Sequence, residues 1–320
     1  MKTPEFLQIH RVDGAVLAHE AAEGLRATRA HVSPKFFYDA LGSRLFDAIT
    51  ELPEYYPTRT EAAILAQNGA AIADAVLSAT GPAPTLIDLG AGNCAKAARL
   101  FGGLAPRRYV AVDISVDYLR QALTTLQREH PAMSLVGVGL DFSTRLELPA
   151  ALIDGPSLVF YPGSSIGNFA HDEALRLLCE ARTTAAGGAL LIGVDLVKPV
   201  AVLEAAYDDE LGVTAAFNLN LLSHVNRLLS TDFHVRDWRH VAFFDVTASR
   251  IEMHLEARRT LTVKWPGGER SFRAGDRIHT ENSAKWRPDD FEVLLRQAGF
   301  AGVRRWTDAQ GWFAVFLATG

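Results

Sequence analysis

The sequence is poor in the residues that build disulfide frameworks, metal centres and membrane spans. Its only two cysteines, Cys94 and Cys179, form neither a CxxC pair nor a zinc or disulfide spacing. His234 and His240 lack a third ligand nearby, so we expect both on the surface. No apolar run approaches the ~20 residues of a membrane-spanning helix, and the first residues resemble neither a signal nor a transit peptide. We expect a soluble, cytoplasmic protein without a metal site or a membrane partner.

An excess of positive charge is also missing. The chain has 32 lysines and arginines against 37 acidic residues, for a net charge of -5. Nucleic-acid-binding proteins typically carry a basic surface, so nucleic acid is not an expected partner. The 320 residues, 48% of them hydrophobic, suffice for one large domain or two modest ones with a substantial core. We expect a monomer that acts on a small molecule.

Short apolar runs begin to alternate with helical segments at residue 85. The runs at 85–89, 108–114, 135–142, 157–163 and 189–197 are expected strands. Continuous apolar strands separated by helices predict a parallel sheet that is covered on both faces. The alternation stops near residue 198 and returns in a helix after Arg287 and a terminal hairpin. The fold class is therefore α/β, with a Rossmann-like sheet.

Residues 199–285 show a different pattern, which predicts an inserted α+β domain. A helix is expected over residues 202–229, followed by segments with the period-2 alternation of antiparallel strands. The predicted organisation assigns 1–59 to the N-terminal part of a substrate domain and 60–198 to the core. Residues 199–285 form the inserted substrate-binding domain, and 286–320 complete the core. Before residue 80, apolar residues show helical spacing over residues 43–50, and a helix is predicted over Thr60–Leu77, capped by Thr58 or Thr60.

A glycine loop, Asp88-Leu89-Gly90-Ala91-Gly92, follows the first of the core strands and precedes a helix. This is the context of a nucleotide-binding turn, where glycines let the backbone approach a ligand closely. Asp113 ends the next strand, where a carboxylate can bind both ribose hydroxyls. Asp141 and Phe142 end the third strand, where an acid and an aromatic ring suit an adenine. The pattern predicts an adenosine-containing cofactor.

Two cofactors compete for this loop. Ala95 can serve as the third small residue of the dinucleotide fingerprint, which would suit NAD. The Asp88 carboxylate, however, is a poor neighbour for a pyrophosphate and suits the ammonium and sulfonium of S-adenosylmethionine. S-adenosylmethionine is the favoured cofactor, and an NAD-dependent oxidoreductase stays open as an alternative.

Three segments carry a more specific signal: FYDALGS at 37–43, LPEYYPTRTE at 52–61 and GSSIGNF at 163–169. Over roughly residues 30–320 the chain resembles the histidine-specific Nα-methyltransferases of ergothioneine biosynthesis. The resemblance implies a class I methyltransferase fold and three successive methyl transfers to the α-amino nitrogen of L-histidine, giving hercynine. A paralogue that methylates another amino acid, such as a tryptophan derivative, stays open.

The resemblance also assigns site residues. The positions that match substrate-binding residues are Tyr38, Tyr55, Asn168, Tyr207, Met253, Glu281 and Ser283. Of these, Tyr38 and Asn168 are the catalytic candidates. Cofactor-binding positions are Gly90, Lys96, Asp113 and Asp141 from the family match, Asp88 and Gly92 from the loop pattern, and Phe142 from the end of the third strand. Two residues apart on a strand, Glu281 and Ser283 share a face and can bond both nitrogens of an imidazole. Without the resemblance, the same pair is typical of a solvated strand edge.

Overall fold

A computed structural model of the chain describes residues 2–9 and 14–320. It divides into a core unit, which comprises Met1–Arg11, Pro57–Val197 and Lys285–Gly320, and a second unit, which comprises Val12–Tyr56 and Lys198–Ala284. The prediction that all of residues 1–59 join the substrate domain is wrong at its beginning. The reason is that strand β1, Glu5–Gln8, pairs in parallel with a strand of the core sheet.

The core unit is built on an eight-stranded sheet. Its other strands are β2 (Thr85–Leu89), β3 (Arg108–Asp113), β4 (Ser134–Gly139), β5 (Ser157–Tyr161), β6 (Ala189–Asp195), β12 (Gly302–Thr307) and β13 (Phe313–Thr319). They follow the order β1-β4-β3-β2-β5-β6-β13-β12. The first six strands in this sheet order, β1 to β6, run parallel to one another. Strands β13 and β12 are antiparallel to their neighbours. The predicted α/β class and the terminal hairpin are confirmed.

Helices cover the core sheet. They are α3 (Tyr56–Gln67), α4 (Gly69–Thr80), α5 (Ala95–Leu104), α6 (Val116–Glu129), α7 (His171–Thr184) and α10 (Pro288–Gln297). Successive strand residues enter two different apolar clusters. Val110 and Leu190 belong to one cluster, and their neighbours Tyr109 and Leu191 belong to the other. This alternation is what a pleated sheet buried on both faces requires.

The single helix predicted over Thr60–Leu77 is in fact two, α3 and α4, which meet at an angle of 75°. The threonines proposed as caps lie inside α3, because that helix begins at Tyr56. The break falls at Asn68, whose side-chain amide donates to the carbonyl of Ile64 at 2.9 Å. Asparagine followed by glycine is a poor continuation of a helix. Taken together, α3 and α4 have the length and apolarity of a membrane span, although the bend separates them. Within the described ranges, no single helix is both long and apolar enough to cross a membrane.

The second unit combines helices with antiparallel strands. Its strands β7 (Trp238–Asp245), β8 (Arg250–Ala257) and β11 (Arg277–Ala284) form a sheet in the order β11-β8-β7, and β9 (Leu261–Trp265) pairs with β10 (Gly268–Phe272). Its helices are α1 (Gly14–Arg26), α2 (Ala40–Thr50), α8 (Val200–Tyr207) and α9 (Val213–Leu229). The helix expected over 202–229 is therefore divided. The Asp209 carboxylate accepts from the backbone N–H groups of Val213 and Thr214 and so begins a new helix.

Candidate functional site

The predicted glycine loop lies at the carboxyl end of β2. Strand order reverses between β2 and β5, and ligands of open α/β sheets bind at such a switch. Gly90 and Gly92 have φ angles of +71° and +52°, which favour glycine. Among the described residues, a Cβ on Gly90 would meet only the Phe142 ring, at 3.8 Å, so backbone conformation rather than crowding requires the glycine. Phe142 in turn packs edge-on against Tyr161, with ring centroids 5.8 Å apart.

Asp88, two residues before Gly90, is 1% exposed. Its Oδ2 accepts from the Tyr109 hydroxyl at 2.7 Å, whereas Oδ1 is buried and has no partner among the described residues. Burial raises the pKa of the Asp88 carboxyl to about 7. A buried acceptor without a donor is costly, so this oxygen fits a cationic ligand group. Burial also raises the pKa of the Cys94 thiol to about 12, which keeps it protonated and unreactive.

Backbone N–H groups hold the two other predicted carboxylates. Asp113 accepts from Gly92 at 2.9 Å through Oδ2 and from Ser115 at 2.8 Å through Oδ1. Burial raises the pKa of the Asp113 carboxyl, and these backbone bonds oppose the shift. Asp141 accepts from the backbone N–H of Ser143 at 3.1 Å. Each Asp113 oxygen keeps a further lone pair and can accept a ligand hydroxyl, whereas Asp141 Oδ1 also accepts from the Ser143 hydroxyl.

Lys96, a predicted cofactor residue, forms an ion pair that the sequence analysis missed. Its Nζ lies 2.9 Å from Oε2 of Glu61, which is 1% exposed. The other carboxylate oxygen of Glu61 accepts from the backbone N–H of Gly163 at 2.8 Å. Glu61 thus joins the first turn of α5 to the loop after β5. Its place at the end of the LPEYYPTRTE motif is the only sequence signal for this role.

Asn168, the predicted catalytic amide, ends a short 3-10 helix, Ser165–Asn168, in that same loop. The loop is also fixed by Ser164, whose hydroxyl accepts from the backbone N–H of Asp195 at 2.8 Å. Asp195 in turn pairs with Lys285 at 2.8 Å, and both side chains are fully buried. Asn168 is half-buried, and its carboxamide forms no hydrogen bond within the described part of the chain. This amide is therefore available for a ligand.

In the second unit, β11 places Glu281 and Ser283 on one buried face. A bulge between His279 and Glu281 shifts the register, so that Glu281 lies opposite Met253 of β8 and Ser283 lies opposite Ile251. Before the bulge the buried positions of β11 are even-numbered, and after it they are odd-numbered. Bulges re-aim side chains in this way. The structure thus brings together three predicted substrate residues and buries all three.

Tyrosines adjoin this face. The Tyr207 and Ser283 hydroxyl oxygens are 2.7 Å apart and share a hydrogen bond. The Tyr55 ring packs edge-on against that of Tyr207, at 6.3 Å between centroids. Phe46 packs edge-on against both Tyr55 and Tyr38, at 6.3 Å and 5.8 Å. The predicted substrate tyrosines therefore form one continuous aromatic cluster with Ser283 at its end.

His240 was expected on the surface, and that expectation is wrong. Its side chain is 2% exposed, and its Nε2–H donates to the Tyr207 carbonyl at 2.8 Å. Its Nδ1 accepts from the Asn218 amide at 2.8 Å. Burial lowers the pKa of the His240 imidazole. The ring is therefore neutral at neutral pH, with Nε2 as the donor and Nδ1 as the acceptor. His240 fixes the backbone that carries the Tyr207 ring.

The local structure explains the residues of the FYDALGS motif. Asp39 caps α2 by accepting from the Gly42 N–H at 2.7 Å, and it also accepts from Asn220 of α9 at 2.8 Å. A Cβ on Gly42 would lie 1.7 Å from the Phe37 carbonyl oxygen, so only glycine permits this close approach. The motif fixes the turn on which Tyr38 sits.

Comparison with known proteins extends the motif-based resemblance to almost the whole chain. A family profile described as "Histidine-specific methyltransferase, SAM-dependent" matches residues 17–320. The histidine N-alpha-methyltransferase of Mycolicibacterium smegmatis is 41% identical over 310 residues, which cover 94% of each chain. That of Mycobacterium tuberculosis is 40% identical over 310 residues, again 94% of each. Ergothioneine biosynthesis protein 1 of Neurospora crassa is 31% identical over 281 residues, 84% of this chain and 31% of that protein.

Proposed function

Because the chain belongs to the family of histidine-specific, S-adenosylmethionine-dependent methyltransferases, we propose that it methylates the α-amino nitrogen of L-histidine three times to give hercynine, a step of ergothioneine biosynthesis. One observation carries this proposal: the buried Glu281 carboxylate lies opposite Met253 on the same face as Ser283. Such a face offers a charged acceptor, an apolar wall and a hydroxyl to one small polar ring.

An imidazole satisfies this face better than other rings do. The Glu281 carboxylate can accept from one ring N–H, and the Ser283 hydroxyl can bond the second ring nitrogen as donor or acceptor. An indole has only one ring nitrogen, so it would leave one of these buried groups without its ligand bond, which disfavours a tryptophan derivative. The bond from Ser283 to Tyr207 links the ring-binding end to another predicted substrate residue.

The core unit fits S-adenosylmethionine. This cofactor supplies an electrophilic methyl group on a sulfonium. The unpartnered Oδ1 of Asp88 suits its ammonium, and the free lone pairs of Asp113 suit the ribose hydroxyls. Asp141, with Phe142 next to it, suits the adenine amino group and ring. The same Asp88 oxygen would repel a pyrophosphate, which favours this cofactor over a nicotinamide dinucleotide.

Methyl transfer needs a neutral amine whose lone pair is oriented, and two residues are assigned to this task. The amide oxygen of Asn168 accepts an N–H of the substrate amine and so directs the remaining lone pair. The hydroxyl of the half-buried Tyr38 accepts a hydrogen bond from the substrate ammonium. As the ammonium proton moves to this oxygen, the hydroxyl proton passes to solvent. Because the sulfonium is an excellent leaving group, orientation and exclusion of water are the main requirements.

The pKa of Asp88 predicts proton-coupled cofactor binding. Burial raises the pKa of this carboxyl to about 7, so below pH 7 the free protein holds a proton on it. A cationic ligand needs the ionised form. Affinity for S-adenosylmethionine should therefore rise with pH, by up to about tenfold per pH unit, and level off above about pH 7. Calorimetric titration from about pH 5.5 to about pH 7.5 measures this slope. Asp88→Asn should bind weakly and without the slope.

The exposed Asp74, on α4 of the same unit, provides the control. Asp74→Asn removes a carboxylate but not the buried one, so its pH slope should match that of the unaltered protein. An equally steep slope in Asp88→Asn would show that another group takes up the proton.

The activity itself is tested by incubating the protein with S-adenosylmethionine and each of the twenty amino acids, with mass spectrometry of the products. Histidine should gain three methyl groups, and the other amino acids should gain none. Turnover of another amino acid with none on histidine would overturn the proposal.

A further inference from the structure

The second unit contains a cavity that none of the roles above uses. Its volume is about 620 Å³, and its walls include four arginines, three histidines and two carboxylates. This volume falls within the range of small-molecule sites, roughly 300–1,000 Å³. All of its lining residues belong to the second unit. A cavity of this size and polarity can hold a small ligand of its own.

The cavity lies on the reverse face of the strands that carry the predicted substrate residues. On β8, Glu252 and His254 flank Met253 and therefore point to the opposite side of the sheet. On β11, His279 lies opposite His254 in register, on the far side of the bulge from Glu281. The cavity is thus separated by the thickness of the sheet from the face assigned to histidine. A ligand here would not compete with histidine for the same side chains.

Charge favours an anion in this cavity. With neutral histidines, the four lining arginines exceed the two lining carboxylates by two charges. Glu252 is already paired, since its carboxylate accepts from Arg250 Nε at 2.9 Å and contacts His254 Nε2 at 2.9 Å. Arg29 makes no side-chain hydrogen bond or ion pair with the described residues. Arginine binds carboxylates and phosphates in bidentate geometry, so this guanidinium is a ready anion ligand.

His254 offers an acceptor that a phosphate can satisfy and a carboxylate cannot. Its Nε2–H faces Glu252, so its Nδ1 carries the lone pair, and that atom is buried without a partner in the described chain. Burial lowers the pKa of this imidazole, which keeps Nδ1 an acceptor. A phosphate group, with a second pKa near 6, still carries a P–OH donor on part of its population near neutral pH. A carboxylate is fully ionised there and offers no donor.

We propose that this cavity binds the phosphate group of a small phosphorylated metabolite, independently of the methyl-transfer residues. The guanidinium of Arg29 binds the phosphate oxygens, and His254 Nδ1 accepts from the P–OH. The three histidines are not proposed as metal ligands, because no group of three or more such side chains within residues 2–9 and 14–320 has the arrangement of a metal site.

The test is calorimetric titration of the full chain with inorganic pyrophosphate, and with succinate, a dicarboxylate without a hydroxyl group, in a parallel arm, at fixed ionic strength. Pyrophosphate should bind saturably, whether or not S-adenosylmethionine and histidine are present at saturation. Arg29→Ala should weaken binding by about tenfold, the loss of one charged contact. His254→Gln provides a second variant, and thermal unfolding checks that both variants are folded. Arg236→Ala, an exposed arginine of the same unit outside the cavity, should bind as the unaltered protein does.

Four results would overturn the assignment. Absence of saturable binding would show that the cavity takes no phosphate. Displacement of pyrophosphate by S-adenosylmethionine, or equal binding by Arg29→Ala, would place the anion elsewhere. Equal binding of succinate and pyrophosphate would remove the phosphate specificity assigned to His254. Each result is independent of whether histidine is the methylated substrate.

Discussion

Glu281→Ala is expected to lower the affinity for L-histidine by roughly a hundredfold, equivalent to about 3 kcal/mol. Glu281 is 8% exposed and lies opposite Met253 on β8. The charged hydrogen bond that it offers to an imidazole N–H is partly shielded from water and is therefore strong. Calorimetric titration with histidine at saturating S-adenosylmethionine measures the loss. Cofactor affinity should stay unchanged, because the assigned cofactor residues are in the core unit.

Two further variants make this result specific. Glu281→Gln keeps one acceptor oxygen but no charge, so its affinity should fall between those of the unaltered protein and the alanine variant. Glu269→Ala removes an exposed carboxylate of the same unit and should leave histidine binding as it is. If Glu281→Ala bound histidine normally, the imidazole would have to be recognised elsewhere, and the proposed substrate would lose its main support.

The sequence predicted the core sheet well because its information is local. A buried parallel strand such as β2 or β6 appears as a short apolar run between helices, and a glycine loop after it needs no distant partner to be recognised. The residues missed by the sequence analysis act over long separations. Glu61 bonds Gly163, 102 positions away, and His240 bonds the Tyr207 carbonyl, 33 positions away. Nothing in the residues around either one indicates its partner.

The bulge in β11 shows a second limit. Strict alternation starting from the buried Ile278 would place Glu281 on the same face as His279, away from Met253. The structure inserts one residue, Thr280, whose hydroxyl bonds the Met253 carbonyl at 3.0 Å. Spacing alone indicated that Glu281 and Ser283 share a face. The bulge decides which face it is, and bulges leave little signal in the sequence of a polar strand.

Gly42→Ala is expected to destabilise the protein by about 3 kcal/mol and to lower its Tm by roughly 6 °C. The new Cβ would lie 1.7 Å from the carbonyl oxygen of Phe37, and a backbone atom cannot move aside as a flexible side chain can. Helix propensity favours alanine by about 1 kcal/mol, which offsets only part of this cost. Differential scanning fluorimetry measures the shift. Because the displaced turn carries Tyr38, the remaining folded protein should also lose activity.

Gly102→Ala is the matched control, because it makes the same chemical change in a helix where nothing is crowded. Gly102 lies within α5, and a Cβ there would meet no atom of the described residues within 4 Å. Only helix propensity acts at this position, so the variant should gain about 1 kcal/mol and unfold at a slightly higher temperature. The two substitutions should therefore have opposite signs. A shared sign would mean that the close approach of Phe37 to Gly42 does not constrain the FYDALGS turn, and the glycine of this motif would need another explanation.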